Sequence, residues 1–211
     1  MIRIYLMALP VLFLSLAANA AEPEFKPLFN GQDLAGWTPV DGPAESWGVE
    51  GDGVFTTGKG GGWLSTDKEY GNFELRLEFK LPAGGNSGVF IRAPREGQPW
   101  IDGMEVQILD DDDAQYANLE PGQYCGSVYK VAAAKRGSTK KPGEWQSMSI
   151  RCAGPQVTVA LNGQTVVDTD LSQAQDKQAS NPGISRKSGH IGLQNHGSRL
   201  DFRKVQIREL N

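Results

Sequence analysis

The stretch Phe73-Glu74-Leu75-Arg76-Leu77-Glu78-Phe79-Lys80-Leu81 alternates apolar and charged residues without a break. Successive side chains of an extended chain point to opposite faces, so this run predicts a β-strand with one buried and one wet face. A helix would scatter the same apolar residues around its circumference and bury none of them well. The outward charges alternate in sign, which suits a solvated sheet surface.

Similar signals extend in both directions. Trp47–Glu50 and Val54–Thr56 flank Gly51-Asp52-Gly53, a hairpin turn. Residues 87–92, 104–109 and 126–131 are short β-rich runs. In Gln146–Cys152, Met148, Ile150 and Cys152 share a face. Val157, Val159 and Leu161 lead into Asn162-Gly163 and then Thr165–Val167. Asn-Gly between β-rich runs marks a two-residue hairpin, because both turn positions need positive φ. After a polar loop over 172–187 come His190–Leu193 and Leu200–Ile207. The apolar phase changes between Phe202 and Val205, which predicts a bulge. About eleven strands without a long helix predict an all-β sandwich of two antiparallel sheets in a jelly-roll arrangement. One sheet of such a sandwich commonly curves, and its concave face makes a groove.

Composition agrees. The 211 residues include 26 glycines, well above the ~15 of a usual ~7% share, as a turn-rich β protein requires. An apolar share of 39% against 22% charged excludes a disordered chain. A net charge of −4 gives no global attraction to nucleic acid, so no nucleic-acid partner is expected. The first twenty residues stand apart. Arg3 precedes an apolar stretch, Ile4–Ala18, which ends in Ala18-Asn19-Ala20. That is the anatomy of a signal peptide, with 21–211 as one mature domain, exported to the periplasm or beyond. After it no run approaches the ~18 apolar residues of a membrane helix, so no stable membrane insertion is expected. Cys125 and Cys152 fit either a bridge, which export permits, or two buried thiols.

The candidate chemistry gathers around residues 104–110. Glu105 and Gln107 share a strand face, and one extra residue before Asp110 would bring that carboxylate alongside them. A line of carboxylate, amide and carboxylate on a concave sheet suits sugar chemistry, where acids and bases flank a glycosidic bond. The run Asp110–Asp113 offers oxygen ligands for calcium. It lacks the glycine and glutamate of an EF-hand loop and reads as a solvated turn, Asp110 apart. His190 sits in a strand and reads as structural. His196 lies in the polar turn Gln194-Asn195-His196-Gly197, where it can move protons. In Asn86-Ser87-Gly88-Val89-Phe90-Ile91-Arg92, alternation places Arg92 beside Phe90, where a guanidinium can hold a sugar oxygen or an oxyanion. Lys130 opens a basic stretch and is a second cationic candidate.

Six ordered motifs carry a resemblance. They are Leu28-Phe29-Asn30-Gly31-Gln32-Asp33-Leu34-Ala35-Gly36-Trp37, Asp67-Lys68-Glu69-Tyr70-Gly71-Asn72-Phe73-Glu74-Leu75, Gly85-Asn86-Ser87-Gly88-Val89-Phe90-Ile91-Arg92, Glu105-Val106-Gln107-Ile108-Leu109-Asp110, Gly143-Glu144-Trp145 and Ile191-Gly192-Leu193-Gln194-Asn195-His196-Gly197. Together they resemble the 3-keto-disaccharide hydrolase domain family over about residues 25 to 210. The resemblance implies a concanavalin A-like jelly roll and an exported enzyme cleaving oxidised glycosides. The spacing of Glu105, Gln107 and Asp110 is also similar to the E-x-D-x-x-E line of laminarinase-type glucanases, with an amide in place of the middle acid and an aspartate in place of the last.

A ketone on a sugar acidifies the neighbouring C–H, so elimination of the glycosidic oxygen followed by hydration gives net hydrolysis. Such a site needs a base, an enolate stabiliser and an acid. The expected parts are Glu105 as base, Arg92 or Lys130 as stabiliser and His196 as acid or orienter. Asn86, Gln107, Asp110 and Gln194 are the expected sugar contacts. No particular cofactor is assigned. A divalent metal such as calcium on Glu105 or Asp110 could replace the cationic stabiliser. The alternatives are a carbohydrate-binding module without catalysis, since this fold also serves lectins, and a structural interaction domain.

Overall fold

The structure, a computed structural model, describes residues 24–211. The expected signal peptide and its boundary at Ala21 lie outside these residues. The described strands are β1 (Lys26–Pro27), β2 (Trp37–Val40), β3 (Trp47–Glu50), β4 (Gly53–Thr56), β5 (Trp63–Thr66), β6 (Phe73–Lys80), β7 (Asn86–Ala93), β8 (Met104–Leu109), β9 (Gln146–Ala153), β10 (Gln156–Leu161), β11 (Gln164–Asp170), β12 (His190–Gln194) and β13 (Asp201–Glu209). They form two antiparallel sheets. The first runs β11-β10-β9-β6-β13-β4-β3, with β1 also paired to β13; the second runs β2-β5-β12-β7-β8.

The alternation in β6 does what it predicts. Phe73, Leu75, Leu77 and Phe79 are buried between the sheets, and Leu81 follows them. The outer face is more ordered than a solvated surface. Glu74 receives Arg76 at 2.7 Å and Arg208 of β13 at 2.6 Å, while Glu78 receives Arg203 at 2.6 Å and Lys204 at 2.9 Å. The β10–β11 hairpin turns at Asn162 (φ +49°) and Gly163 (φ +82°), both in the left-handed region the pair predicts. In β13 the register against β6 shifts between Arg203 and Gln206, and Lys204 has φ +50°. The bulge expected there therefore exists and restores the apolar phase at Val205.

Two elements differ from expectation. Residues 126–131 are not a strand. They lie along the outer edge of β8 as irregular backbone, with Gln107 N–H donating to Ser127 O (3.0 Å), Gly126 N–H to Gln107 O (2.8 Å) and Tyr129 N–H to Glu105 O (2.8 Å). These bonds occupy an edge that would otherwise invite pairing with another chain. The aspartate run is a turn, but only part of it is solvated: Asp112 is exposed and Asp113 half-buried, whereas Asp111 is not. Asp111 is buried, accepts the Cys125 N–H at 2.8 Å and is pushed above its ordinary pKa by desolvation; Asp113 caps the turn Ala114–Tyr116. Cys125 and Cys152 are separate buried thiols, each pushed up to about 12 by burial.

Candidate active site

The five-stranded sheet has an inner face packed on the core and an outer face lined by side chains of opposite parity. In β8, Met104, Val106 and Ile108 face the core and Glu105 and Gln107 face out. In β7, Val89 and Ile91 go inward, while Gly88 and Phe90 sit opposite Gln107 and Glu105. In β12, Ile191 and Leu193 go inward and Gln194 goes out beside Trp63 of β5. Trp63, Phe90 and Ala93 form a small buried cluster on the outer side, with the Trp63 and Phe90 rings edge to face at 5.4 Å.

Against this floor lies a cleft of about 190 Å³ lined by Asn86, Trp100, Glu105, Gln107, Tyr129, Gln194 and His196. Trp100 comes from a single helical turn, Pro99–Asp102, between β7 and β8. Tyr129 comes from the edge segment bonded to β8. His196 follows β12 in a turn braced by Asn195, whose side chain donates to Lys59 O at 2.7 Å and accepts the Gly197 N–H at 3.3 Å. The amides are oriented: Gln107 Nε2 donates to Asn86 Oδ1 at 2.9 Å. The Gln194 Oε1 is buried and has no hydrogen-bond partner among the described residues.

Glu105 is 4% exposed, and burial pushes its carboxyl up to about 8. Among the described residues no hydrogen-bond donor or cation reaches that carboxyl. Desolvation acts alone, so the neutral acid is favoured and the anion, once formed, is strongly basic. Gly88 makes room for it: a Cβ there would stand 2.0 Å from Glu105 Oε1. The glycine on β7 diagonal to Glu105, directly opposite Gln107, thus has a steric cause in the site itself.

Glu105, Gln107, Asn86, Gln194 and His196, all singled out in the sequence, come together. Arg92, Lys130 and Asp110 do not. Between β7 and β12 the register shifts: Gly192 pairs with Phe90, yet His190 pairs with Ala93. One extra residue of β7 is accommodated there, and Arg92 takes φ +50°. Ala93 joins Phe90 on the outer face, and the Arg92 guanidinium turns away to Gly71 O and Arg186 O. Simple alternation failed because a bulge reverses the parity of all that follows. Asp110 fails for the opposite reason. The β7–β8 register runs unbroken from Asn86↔Leu109 to Ile91↔Met104, so the bulge it needed is absent. Its carboxylate instead accepts the Gly84 N–H at 2.9 Å. Lys130 is exposed, with Nζ over the Tyr129 ring at 5.2 Å, and does not line the cleft. His190 is structural, its Nδ1 2.7 Å from Thr66 O. The sequence reading missed Trp100 and Tyr129. The available signal was a pair of aromatics in polar loops on either side of the Glu105 strand.

The donor set does not fit a calcium cage. The cleft brings one carboxyl, and among the described residues no three His, Cys, Asp or Glu side chains converge. Calcium takes six to eight oxygens, several from carboxylates. With Asp110 turned away, the second acid of such a site is not assembled.

Comparison with known proteins agrees with this architecture. Residues 24–208 match the model of the 3-keto-alpha-glucoside-1,2-lyase-like domain. The chain is 28% identical over 225 residues to the 3-keto-disaccharide hydrolase of Bacteroides thetaiotaomicron, covering 87% of this chain and 78% of that one. A solved protein of Parabacteroides distasonis ATCC 8503, provisionally named a glycosyl hydrolase, is 33% identical with a TM-score of 0.78, covering 89% of this chain and all of that one. A non-specific endo-beta-1,3(4)-glucanase of family GH16 shares the fold at 10% identity, with a TM-score of 0.57 over 89% of this chain and 90% of that one. The match spans nearly all the described residues, and the chain belongs to the 3-keto-alpha-glucoside-1,2-lyase-like domain family.

Proposed function

We propose that this protein is an exported enzyme that cleaves the glycosidic bond of 3-keto glycosides by elimination and hydration. One observation carries the reading: among the described residues, Glu105 is the sole carboxyl lining the cleft. Ordinary glycosidases flank the bond with two carboxyl groups, one acid and one base or nucleophile. A cleft with one carboxyl and one imidazole lacks that pair, but it holds what proton abstraction beside a ketone needs.

Ionised Glu105 takes the proton from the carbon between the ketone and the anomeric carbon. The C–H electrons pass into a C–C double bond, and the ketone oxygen becomes an enolate. The enolate collapses, the bond to the glycosidic oxygen breaks, and that oxygen leaves with a proton. Water then adds to the anomeric carbon, and a proton returns to the neighbouring carbon. A carboxyl at about 8 is suited to both directions of transfer, since a catalytic pKa near the working pH maximises proton exchange. His196 at the rim supplies the proton to the departing oxygen. With Arg92 and Lys130 outside the cleft, the enolate oxygen is met by the neutral amides of Asn86 and Gln107, held by their mutual bond. Trp100 and Tyr129, which line the cleft, offer aromatic faces for a sugar ring.

The family match and the names of the relatives support the substrate class, a carbohydrate oxidised at the 3-position. The signal-like segment 1–20 supports export. The test is turnover of a 3-keto-disaccharide beside the same disaccharide unoxidised. Cleavage confined to the oxidised sugar is expected. Equal cleavage of both would refute the reading.

A further inference from the structure

The bulge that removes Arg92 from the cleft delivers it to a second, larger cavity of about 550 Å³. This cavity lies at one end of the sandwich, between Gly71-Asn72 ahead of β6, the β9–β10 turn at Gly154-Pro155, and the segment from Leu171 to Lys187. Arg92 is 2% exposed. Its Nε–H and one Nη2–H point to Gly71 O at 3.1 and 2.9 Å, and one Nη1–H points to Arg186 O at 3.2 Å. Three of its five N–H groups are thus met by neutral carbonyls, which leave one hydrogen on each terminal nitrogen and supply no counter-charge.

The neighbours add positive charge. Arg186 donates Nε–H to Arg92 O at 2.9 Å, and Lys187 lies on the exposed rim. Among the described residues no acid lines the cavity and no carboxylate pairs with Arg92, Arg186 or Lys187. In a chain with 25 acids and 21 bases this grouping is not background. A buried charge without a partner is costly, and Arg92 carries a left-handed backbone (φ +50°) as well. An anion bound in the cavity would supply the missing partner.

The geometry narrows the anion. Two terminal guanidinium hydrogens in a fixed plane match the two oxygens of a carboxylate. The cavity is far larger than an ion and falls within the ~300–1,000 Å³ of small-molecule sites. Ser172 and Gln175 offer neutral polar contacts, and Leu171 and Ile184 an apolar wall. We propose that this cavity is a binding site for a carboxylate-bearing small molecule, held by Arg92 and Arg186 and separate from the cleft. The carboxylate could come from a uronic acid sugar or from a free organic acid. The inference does not depend on the catalytic reading.

Calorimetric titration of the full chain with D-glucuronate, acetate and methyl glucoside tests it. Glucuronate is expected to bind, more weakly as salt rises, and with the same affinity in Glu105→Gln, which separates the cavity from the cleft. Arg186→Gln should weaken binding at least ~10-fold, as expected for loss of a charge-assisted contact. Lys187→Gln, at an exposed position, should weaken it several-fold and keeps the test valid if the first variant does not fold. Glucuronate binding well above acetate assigns a uronic acid; equal binding of both assigns a free organic acid. No binding of either anion would overturn the proposal. So would methyl glucoside binding as well as glucuronate, or glucuronate affinity unmoved by both substitutions.

Discussion

Replacing Glu105 with glutamine should stabilise the protein by an amount that grows with pH. Burial raises this carboxyl from an ordinary value of 4.5 to about 8. Between those values the native state keeps the proton and the unfolded chain has lost it. Stability rises with pH only where the unfolded state binds more protons; here it binds fewer, so stability falls as pH rises. The neutral carboxyl's contribution is complete below the unfolded value and is lost as pH passes through the folded value. Each unit costs ~1.4 kcal/mol, so the span amounts to at most ~5 kcal/mol. Glutamine keeps the shape and has no charge to desolvate. All other titrations are common to both proteins and cancel. Urea unfolding of both, at pH values from about 5 to 9, should therefore show a difference in favour of Glu105→Gln that widens to about pH 8 and then levels. A difference constant over that range would show that Glu105 titrates as a solvated carboxylate and that the desolvated base is wrong.

Gly88→Ala should shift the Glu105 carboxyl, since the new Cβ would lie 2.0 Å from Oε1. Turnover should fall by about 10²-fold with ~1–3 kcal/mol of destabilisation, read by kinetics and urea unfolding. His196→Gln should lower turnover by ~10²-fold or more while leaving the unfolding midpoint unchanged, because His196 is exposed. Thiol titration without reductant should count two cysteines in denaturant and almost none in the native protein, since both are buried and free. Mass spectrometry of protein made in its own cell should place the first residue at Ala21, whereas intact Met1 would contradict export by cleavage.

The legibility of the sequence followed its local order. Strict alternation in Phe73–Leu81 and the Asn162-Gly163 pair stated their structures outright, because each depends on a few adjacent residues. Glu105 and Gln107 were legible for the same reason. The strand Trp63–Thr66 was not: it is four residues long, buried throughout and preceded by Gly60-Gly61-Gly62, so it has no alternation to read. Arg92 was misplaced by one bulge in β7, which shows only in the pairing of that strand with the distant β12. Asp110 was misplaced by expecting a bulge that the β7–β8 pairing does not contain. The pairing of residues 126–129 with β8, which brings Tyr129 to the cleft, joins segments about twenty residues apart and leaves no periodic trace.

The most direct measurement is cleavage of a 3-keto-disaccharide in heavy water, with the product examined early by NMR and mass spectrometry beside an enzyme-free control. Elimination and hydration require the carbon between the ketone and the anomeric centre to lose its proton and regain one. The account predicts deuterium at that carbon in the released keto-sugar, at a rate that tracks turnover and falls with it in Glu105→Gln. A released sugar that keeps its original hydrogen there, at full turnover, would mean direct displacement at the anomeric carbon and would contradict the account.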